Sequence, residues 1–292
     1  MKTASVSQPP GKPKIDLRGL LTRMDHLPGL SAAVQKVCNL AAVPNASADD
    51  LAALIQYDPV LSRKTLRIAN SAFYGLTHEV SSVKEAVVLL GLTTVRSLAI
   101  ATSALNVFDA SDTEHFRQEQ FWLHSAACAV LAHRIVRLTR VPGTSDAFTA
   151  ALLHDIGKLV LHQSARDAFS TLLALQAADR FLSTGTERTL TGISHSELGK
   201  ALAAKWKLPL KICESIGAHH GDGHSGTSYL AAVCCIADYI CSRSGLGSVV
   251  DVGIPPFPKW ALSKVRISSS VIEELRCTFG QIRSEAQAVV AV

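Results

Sequence analysis

The 292-residue chain has little charge (18%), few aromatic residues (5%) and no long apolar run. Its longest apolar stretch, Tyr229 to Ala237, is nine residues, about half of the ~18 that a membrane-spanning helix needs, so a soluble protein without membrane contact is expected. Low charge combined with 48% hydrophobic residues excludes an intrinsically disordered chain, since one large core or two modest ones can be buried. The N-terminus lacks the apolar segment of a secretory signal. Met1-Lys2-Thr3 leads instead into Pro9, Pro10, Lys12, Pro13 and Lys14, read as a flexible basic tail over residues 1–18. The seven cysteines lack paired metal-ligand spacing. Cys38, Cys128, Cys213, Cys234, Cys235 and Cys241 fall in apolar helical patterns and read as buried free thiols of a cytoplasmic protein. The net charge of +5 is scattered, which permits a nucleic-acid partner without arguing for one.

The sustained alternation of a half-buried strand is absent as well, and nearly every periodic segment has the helical period, so the expected fold is all-α. No fixed-period repeat points to a solenoid. Ser47 with Asp50 starts a helix presenting Leu51, Leu54 and Ile55. Asp58-Pro59 interrupts it, because the residue before proline is pushed out of the α region and Pro59 suits a new first turn. The next helix presents Val60, Leu61, Leu66 and Ile68 and stops at Asn70 to Gly75. Ser82 and Glu85 read as a capping box before Val87, Val88, Leu90, Leu92, Val95 and Leu98. The polar stretch 108–118, with Asp109, Asp112 and Glu114, separates an N-terminal helical subdomain (19–117) from a second helical subdomain (118–225). Helices are predicted there over 119–138, 146–163, 165–182, 194–207 and 209–219. A further helix at 228–242, a proline-rich loop at 245–258 and a last helix at 268–289 complete or extend the second subdomain through 226–292.

Against this composition, eleven histidines stand out. Burying an imidazole or carboxylate without a partner costs about 2–7 kcal/mol for a neutral polar group and more for a charge, so polar residues on core-facing stripes demand a reason. His124 shares a stripe with Phe121, Cys128, Leu131 and Ile135; Asp155 lies on the stripe of Phe148, Leu152 and Leu159, with His154 at its edge. His219 follows Ile212 and Ile216 with His220 beside it, Asp238 lies among Ala231, Cys234 and Cys241, and a Ser194–Glu197 capping box puts His195 in a first turn. Five imidazoles and two carboxylates form the donor set that Zn, Fe or Mn ions accept, one or two of them. Two divalent ions would leave the site net positive and suited to a phosphate-containing ligand, polarising its oxygens and acidifying a bound water. Lys158 reads equally as a further phosphate contact and as a solvated lysine. His26, His78, His115, His133, His162 and His224 fall in loops or on outer faces and receive no role. Trp122 and Trp206 read as core anchors, Asn70, Ser71, Phe73 and Tyr74 as a helix stop, and Asp222-Gly223 as a turn. Residues 47–68 resemble a helix-turn-helix, but Arg63, Lys64 and Arg67 read as a solvated face.

His154-Asp155-Ile156-Gly157-Lys158 resembles the hallmark of the HD superfamily of metal-dependent phosphohydrolases. The order His124, His154-Asp155, His195, His219-His220, Asp238 is similar to the ligand series of its cyclic-dinucleotide phosphodiesterase branch. That resemblance implies that Asp155 bridges two metals, that His124, His154 and Asp238 serve one ion, and that His195, His219 and His220 serve the other. Leu27-Pro28-Gly29-Leu30, Asp58-Pro59, Asn70 to Gly75 and Ala86 to Leu92, followed by Gly192 to Gly199 and Trp206-Lys207-Leu208-Pro209, look like the HDOD domain, the HD-related output domain of bacterial signalling proteins. The resemblance spans about Leu27 to His220. It implies a helical subdomain packed on an HD-like subdomain and a regulatory role, often with an incomplete metal set. This chain departs by keeping the whole set. It departs from the phosphodiesterase branch too, because His219-His220-Gly221-Asp222-Gly223 has no Gly-Tyr-Pro continuation.

The expected function is accordingly a bacterial regulatory protein of HDOD type, acting through protein partners and carrying an HD-type metal site, its input arriving in trans or through the C-terminal helices. The alternative is a metal-dependent phosphohydrolase or cyclic-nucleotide phosphodiesterase with Asp155 and Lys158 in catalytic roles. A DNA-binding regulator ranks third.

Overall fold

The computed structural model describes residues 22, 29–41, 43, 45–70, 78–108, 112–113, 116–141, 146–179, 183–221, 228–246 and 255–290. The basic tail, Leu27-Pro28, the stretch Ser71 to Gly75, Asp109, Glu114, the Asp222-Gly223 turn and three of the histidines left without a role (His26, His115, His224) lie outside the described residues.

The helices described in the N-terminal half are α1 (Ala32–Ala41), α2 (Ala48–Gln56), α3 (Pro59–Ala69), α4 (Val83–Leu90) and α5 (Leu92–Val107). The second half contains α6 (Gln118–Thr139), α7 (Ala147–Leu153), α8 (Ile156–Ser164), α9 (Arg166–Asp179), α10 (Thr184–Thr191) and α11 (His195–Lys205). It continues with α12 (Leu210–Ala218), α13 (Tyr229–Arg243), α14 (Lys259–Val265), α15 (Ser269–Cys277) and α16 (Phe279–Val290). The fold is all-α; among the described residues there is no strand, only one isolated antiparallel bridge between Thr113 and Phe116. No single described helix is long and apolar enough to cross a membrane.

Local chemistry sets the helix starts. The Ser47 hydroxyl accepts the Asp50 amide, and Asp58 accepts from Val60 and Leu61 ahead of Pro59 in the first turn of α3. Leu51, Ile55, Leu61 and Ile68 are buried as their period requires, whereas Val60, one step off the stripe, is 39% exposed. Only half of the expected box at α4 forms: Ser82 accepts the Glu85 amide, but the Glu85 carboxylate turns to His78 at 3.0 Å. Gly91, at φ +78°, then divides the run expected to be continuous into α4 and α5.

The remaining departures are also interruptions. The helix expected over 146–163 breaks at His154-Asp155, the last helix breaks at Thr278, α10 follows α9 where no helix was foreseen, and α14 follows the proline-rich loop. His162, expected on an outer face, is buried, with its ring stacked on Phe116 at 4.4 Å. Lys64, read as part of a solvated face, is buried too. The described cysteines are all free thiols, and Cys128, Cys213, Cys234 and Cys241 are buried.

Helix α6 is the central post. Every residue from Phe121 to Ala132 is buried, and α7, α13 and α16 pack around it. The N-terminal half docks through α5 onto α7, where the Arg96 guanidinium meets the buried Asp146 carboxylate and the Ser97 and Thr149 hydroxyls meet each other. Helix α16 touches both α6 and α3 and so clasps the two halves. Its Glu285, 3% exposed, takes both Arg134 Nη2 contacts at 2.8 Å. Arg134→Met strands that buried carboxylate, and urea denaturation should show a loss of about 3 kcal/mol or more; an unchanged midpoint would mean that the pair does not hold α16 in place.

Candidate metal centre

The break between α7 and α8 builds the centre. α7 ends at Leu153, His154 keeps helical dihedrals, and Asp155 adopts φ −99°, ψ 5° before α8 begins at Ile156. Asp155 stands at the N-cap of α8 but makes no capping bond, its carboxylate being turned to imidazoles and to Lys158. Gly157 lets α8 cross against α11: a Cβ there would run into the His195 carbonyl and come within 2.8 Å of the Gly199 amide nitrogen. The expected capping box is complete at α11, with Ser194 and Glu197 bonding reciprocally, and it sets His195 in the first turn.

All seven candidate ligands gather here, and Asp155 lies between two groups of them. On one side, Asp155 Oδ2 is 3.3 Å from His154 Nε2 and 4.0 Å from His124 Nε2, and Asp238 Oδ1 is 3.2 Å from His124 Nε2 and 3.9 Å from His154 Nε2. On the other side, Asp155 Oδ1 is 3.2 Å from His195 Nε2 and 3.8 Å from His219 Nε2, and His220 Nε2 is 3.0 Å from His195 Nε2. His124, Cys128, His154 and Asp238 present ligand atoms within 4.8 Å of one another, and so do Asp155, His195, His219 and His220. Each group could hold a metal ion.

The imidazole tautomers fit this use. The Nδ1 of His154 lies 2.7 Å from the Ala151 carbonyl, that of His219 2.7 Å from the Ile216 carbonyl, and that of His124 3.3 Å from the Leu246 carbonyl. His195 Nδ1 lies 2.7 and 2.8 Å from the Glu187 carboxylate oxygens. A carbonyl or carboxylate oxygen only accepts, so each Nδ1 carries the proton, and in the neutral ring Nε2 is left as a lone pair aimed at the carboxylates. Lone pairs facing carboxylate oxygens in a dry interior require a cation between them. His154 Nε2 and Asp155 Oδ1 are sealed from solvent with no hydrogen bond among the described residues, the kind of unsatisfied pair that a divalent ion would resolve.

In the protein alone, protons and Lys158 carry that positive charge. Burial opposes charging His195, but Glu187 and Asp155 outweigh it and hold the imidazolium up to about 9. Burial and the neighbouring His195 push His220 down to about 4, and burial, followed by His220 and His154, lowers His219 well below its ordinary value. Burial opposes charge on Asp155 as well, yet His154 and Lys158 hold its carboxyl well below the usual range. Lys158 is therefore not a solvated lysine: its Nζ lies 2.6 Å from Asp155 Oδ2.

Two residues of the centre were not expected from sequence. Glu187 orients His195 through Nδ1 and also accepts the His195 amide at 2.9 Å, but it sits on the unforeseen helix α10 and reads in sequence as a surface acid. Cys128 had a legible signal, since its i, i+4 spacing from His124 puts both on one face of α6, but it reads equally as a core thiol. A cavity of about 250 Å³ adjoins the centre, and His220, Asp238, Tyr239, Pro256, Phe257 and Trp260 are among its lining residues.

Glu187→Gln removes the charge that fixes His195, and divalent-ion affinity measured by equilibrium dialysis should fall about 10–100-fold. Gly157→Ala forces α8 from α11 and should cost about 1–3 kcal/mol or more in urea denaturation. Gly185→Ala is the control, because a Cβ there meets only the Ser183 hydroxyl at 3.5 Å. Equal stability of the two variants would remove the close crossing as the reason for Gly157.

The HDOD domain family model matches residues 27–221. An HDOD domain protein with unknown function from Geobacter sulfurreducens shares the fold at 24% identity and a TM-score of 0.78, covering 94% of this chain and 98% of that one. A candidate phosphohydrolase from Shewanella amazonensis is 25% identical at a TM-score of 0.72, covering 93% and 98% of the two chains. An uncharacterised protein of Treponema pallidum is 25% identical over 267 residues, 91% of this chain, which spans about half the length (51%) of that relative. By the span of its match and by its helical architecture, the chain belongs to the HDOD domain family.

Proposed function

We propose that this chain is a regulatory module of bacterial signalling that acts through protein partners in the cytoplasm, with a metal-loaded centre fixing the arrangement of its HD-like half. The observation that carries this reading is the depth of a complete donor set. His154 and His219 are fully buried and Asp155 and His195 are 3% exposed, while His220 and Asp238 line the adjoining cavity. The adjoining cavity of about 250 Å³ is smaller than the ~300–1,000 Å³ of pockets that enclose drug-sized ligands, so it suits a phosphate-sized group better than a dinucleotide. His124, His154 and Asp238 would hold one ion, His195, His219 and His220 a second, with Asp155 shared. Ions of the Fe, Mn or Zn type would polarise a phosphoryl oxygen and acidify a bound water.

Residues 226–292 are best read as completing the HD-like half. α13 supplies Asp238, the Leu246 carbonyl orients His124, and α16 packs on α6. On the DNA-binding reading, burial of Lys64 leaves α3 a thin basic face, well short of a nucleic-acid footprint.

A second reading, a metal-dependent phosphohydrolase, draws on the open edge at His220 and on the name of the Shewanella relative. In it Asp155 would hold the ions, and Lys158, already fixed on Asp155, would steady an anionic substrate. Elemental analysis of the purified full chain beside Asp155→Ala tests the centre, with retained divalent metal that is lost in the variant as the expected result. Metal without hydrolysis of bis(p-nitrophenyl) phosphate supports the regulatory module. Metal-dependent turnover abolished in Asp155→Ala supports the enzyme, and no retained metal in the wild type overturns both.

A further inference from the structure

We propose that Cys128 binds metal as a thiolate in the group with His124, His154 and Asp238, so that the two subsites differ chemically, one containing sulfur and the other only nitrogen and oxygen. The inference rests on the metal-centre reading above and concerns what each half of that centre selects. Cys128 is fully buried one helical turn from His124 on α6, with its Sγ 3.5 Å from His124 Nε2. Its Sγ belongs to the same set of mutually close ligand atoms as His154 Nε2 and the Asp238 carboxylate. The neighbouring buried thiols Cys234 and Cys241 do not belong to that set.

His124 Nε2 lies 3.5 Å from the Cys128 sulfur and 3.2 Å from Asp238 Oδ1, so thiol, imidazole and carboxylate converge on one point. An ion held there would take Cys128 as the thiolate, with the thiol proton released to solvent and the sulfur lone pair donated to the ion, and His124 would donate through Nε2.

Charge then separates the two subsites. One thiolate and the Asp238 carboxylate neutralise a divalent ion in the first. Asp155, even if counted wholly to the second, leaves that subsite net positive among three imidazoles. A thiolate with imidazoles and a carboxylate favours a zinc-type ion, whereas the nitrogen and oxygen set accepts Fe or Mn as readily. The uncompensated charge lies on the side of His220, which lines the cavity, so an anionic ligand would be drawn to that subsite.

The full chain, stripped with a chelator and reloaded with cobalt(II) alone, tests this without any activity assay. The loaded wild type should show a thiolate-to-cobalt charge-transfer band in the near ultraviolet. Cys128→Ser and Cys128→Ala should lose the band while retaining the cobalt of the other subsite, and Cys241→Ser should keep it. Bound cobalt without the band in the wild type, or a band that survives in both Cys128 variants, overturns the thiolate assignment and leaves the metal centre standing. A wild type that binds no cobalt overturns both. Absence of the band from the cobalt-loaded wild type overturns the assignment without any substitution, and the use of both Cys128→Ser and Cys128→Ala guards against one variant failing to fold.

Discussion

A carboxylate 3% exposed at the junction of two short helices is the constraint around which this molecule is arranged. Charge on Asp155 in so dry a place is tolerable only if positive charge surrounds it. The chain supplies His124 and His154 on one oxygen, His195 and His219 on the other, and Lys158 at 2.6 Å. Protons on the imidazoles and a divalent ion answer the same electrostatic demand. Glu187 and Asp155 favour the charged form of His195 over the opposing effect of burial, so protonation of that ring answers part of the demand made by the Asp155 carboxylate.

Holding those groups together requires helices to approach more closely than side chains normally allow. Gly157 and Gly199 face one another where α8 crosses α11, and a Cβ on Gly199 would also come within 2.9 Å of Ile216 Cγ2 on α12. The three helices that carry Lys158, His195 and, at its C-terminal end, His219 are drawn together by the absence of two side chains. The glycine of the His-Asp motif is thus explained by packing: it brings His195 to Asp155. Outer partners then lock four of the five rings, with Glu187 acting on His195 and main-chain carbonyls on His124, His154 and His219.

The centre is wired to both halves of the protein. α7 is followed directly by His154 and preceded by Asp146, the acid that receives Arg96 from α5 of the N-terminal half and Lys211 from α12. α6, which carries His124 and Cys128, is gripped at its far end by Glu285 of α16, and α16 in turn touches α3. A buried ion pair thus ties the N-terminal half to α7, about two helical turns from the candidate ligands His154 and Asp155.

Much of this was legible from residue order. The all-α class follows from helical period, the caps at Ser47, Asp58 and Ser194 from local hydrogen bonding, and the seven candidate ligands from polar residues on apolar stripes. Each of these is a property of one helix or one turn. What local pattern missed depends on other parts of the chain. Asp155 breaks a helix that its own period would continue, and Gly91 and Thr278 divide runs that read as unbroken. Glu187 reads as a surface acid until α10 places it against His195, and His162 reads as peripheral until Phe116 covers it. Cys128 reads as one more core thiol until α7 and α13 bring His154 and Asp238 to it. Sequence by itself determined that five imidazoles and two carboxylates face inward as candidate cation donors, because side-chain chemistry and helical phase are local. Only the tertiary structure decided that Cys128 stands among them and Glu187 behind His195, because that depends on distances between helices far apart in the chain.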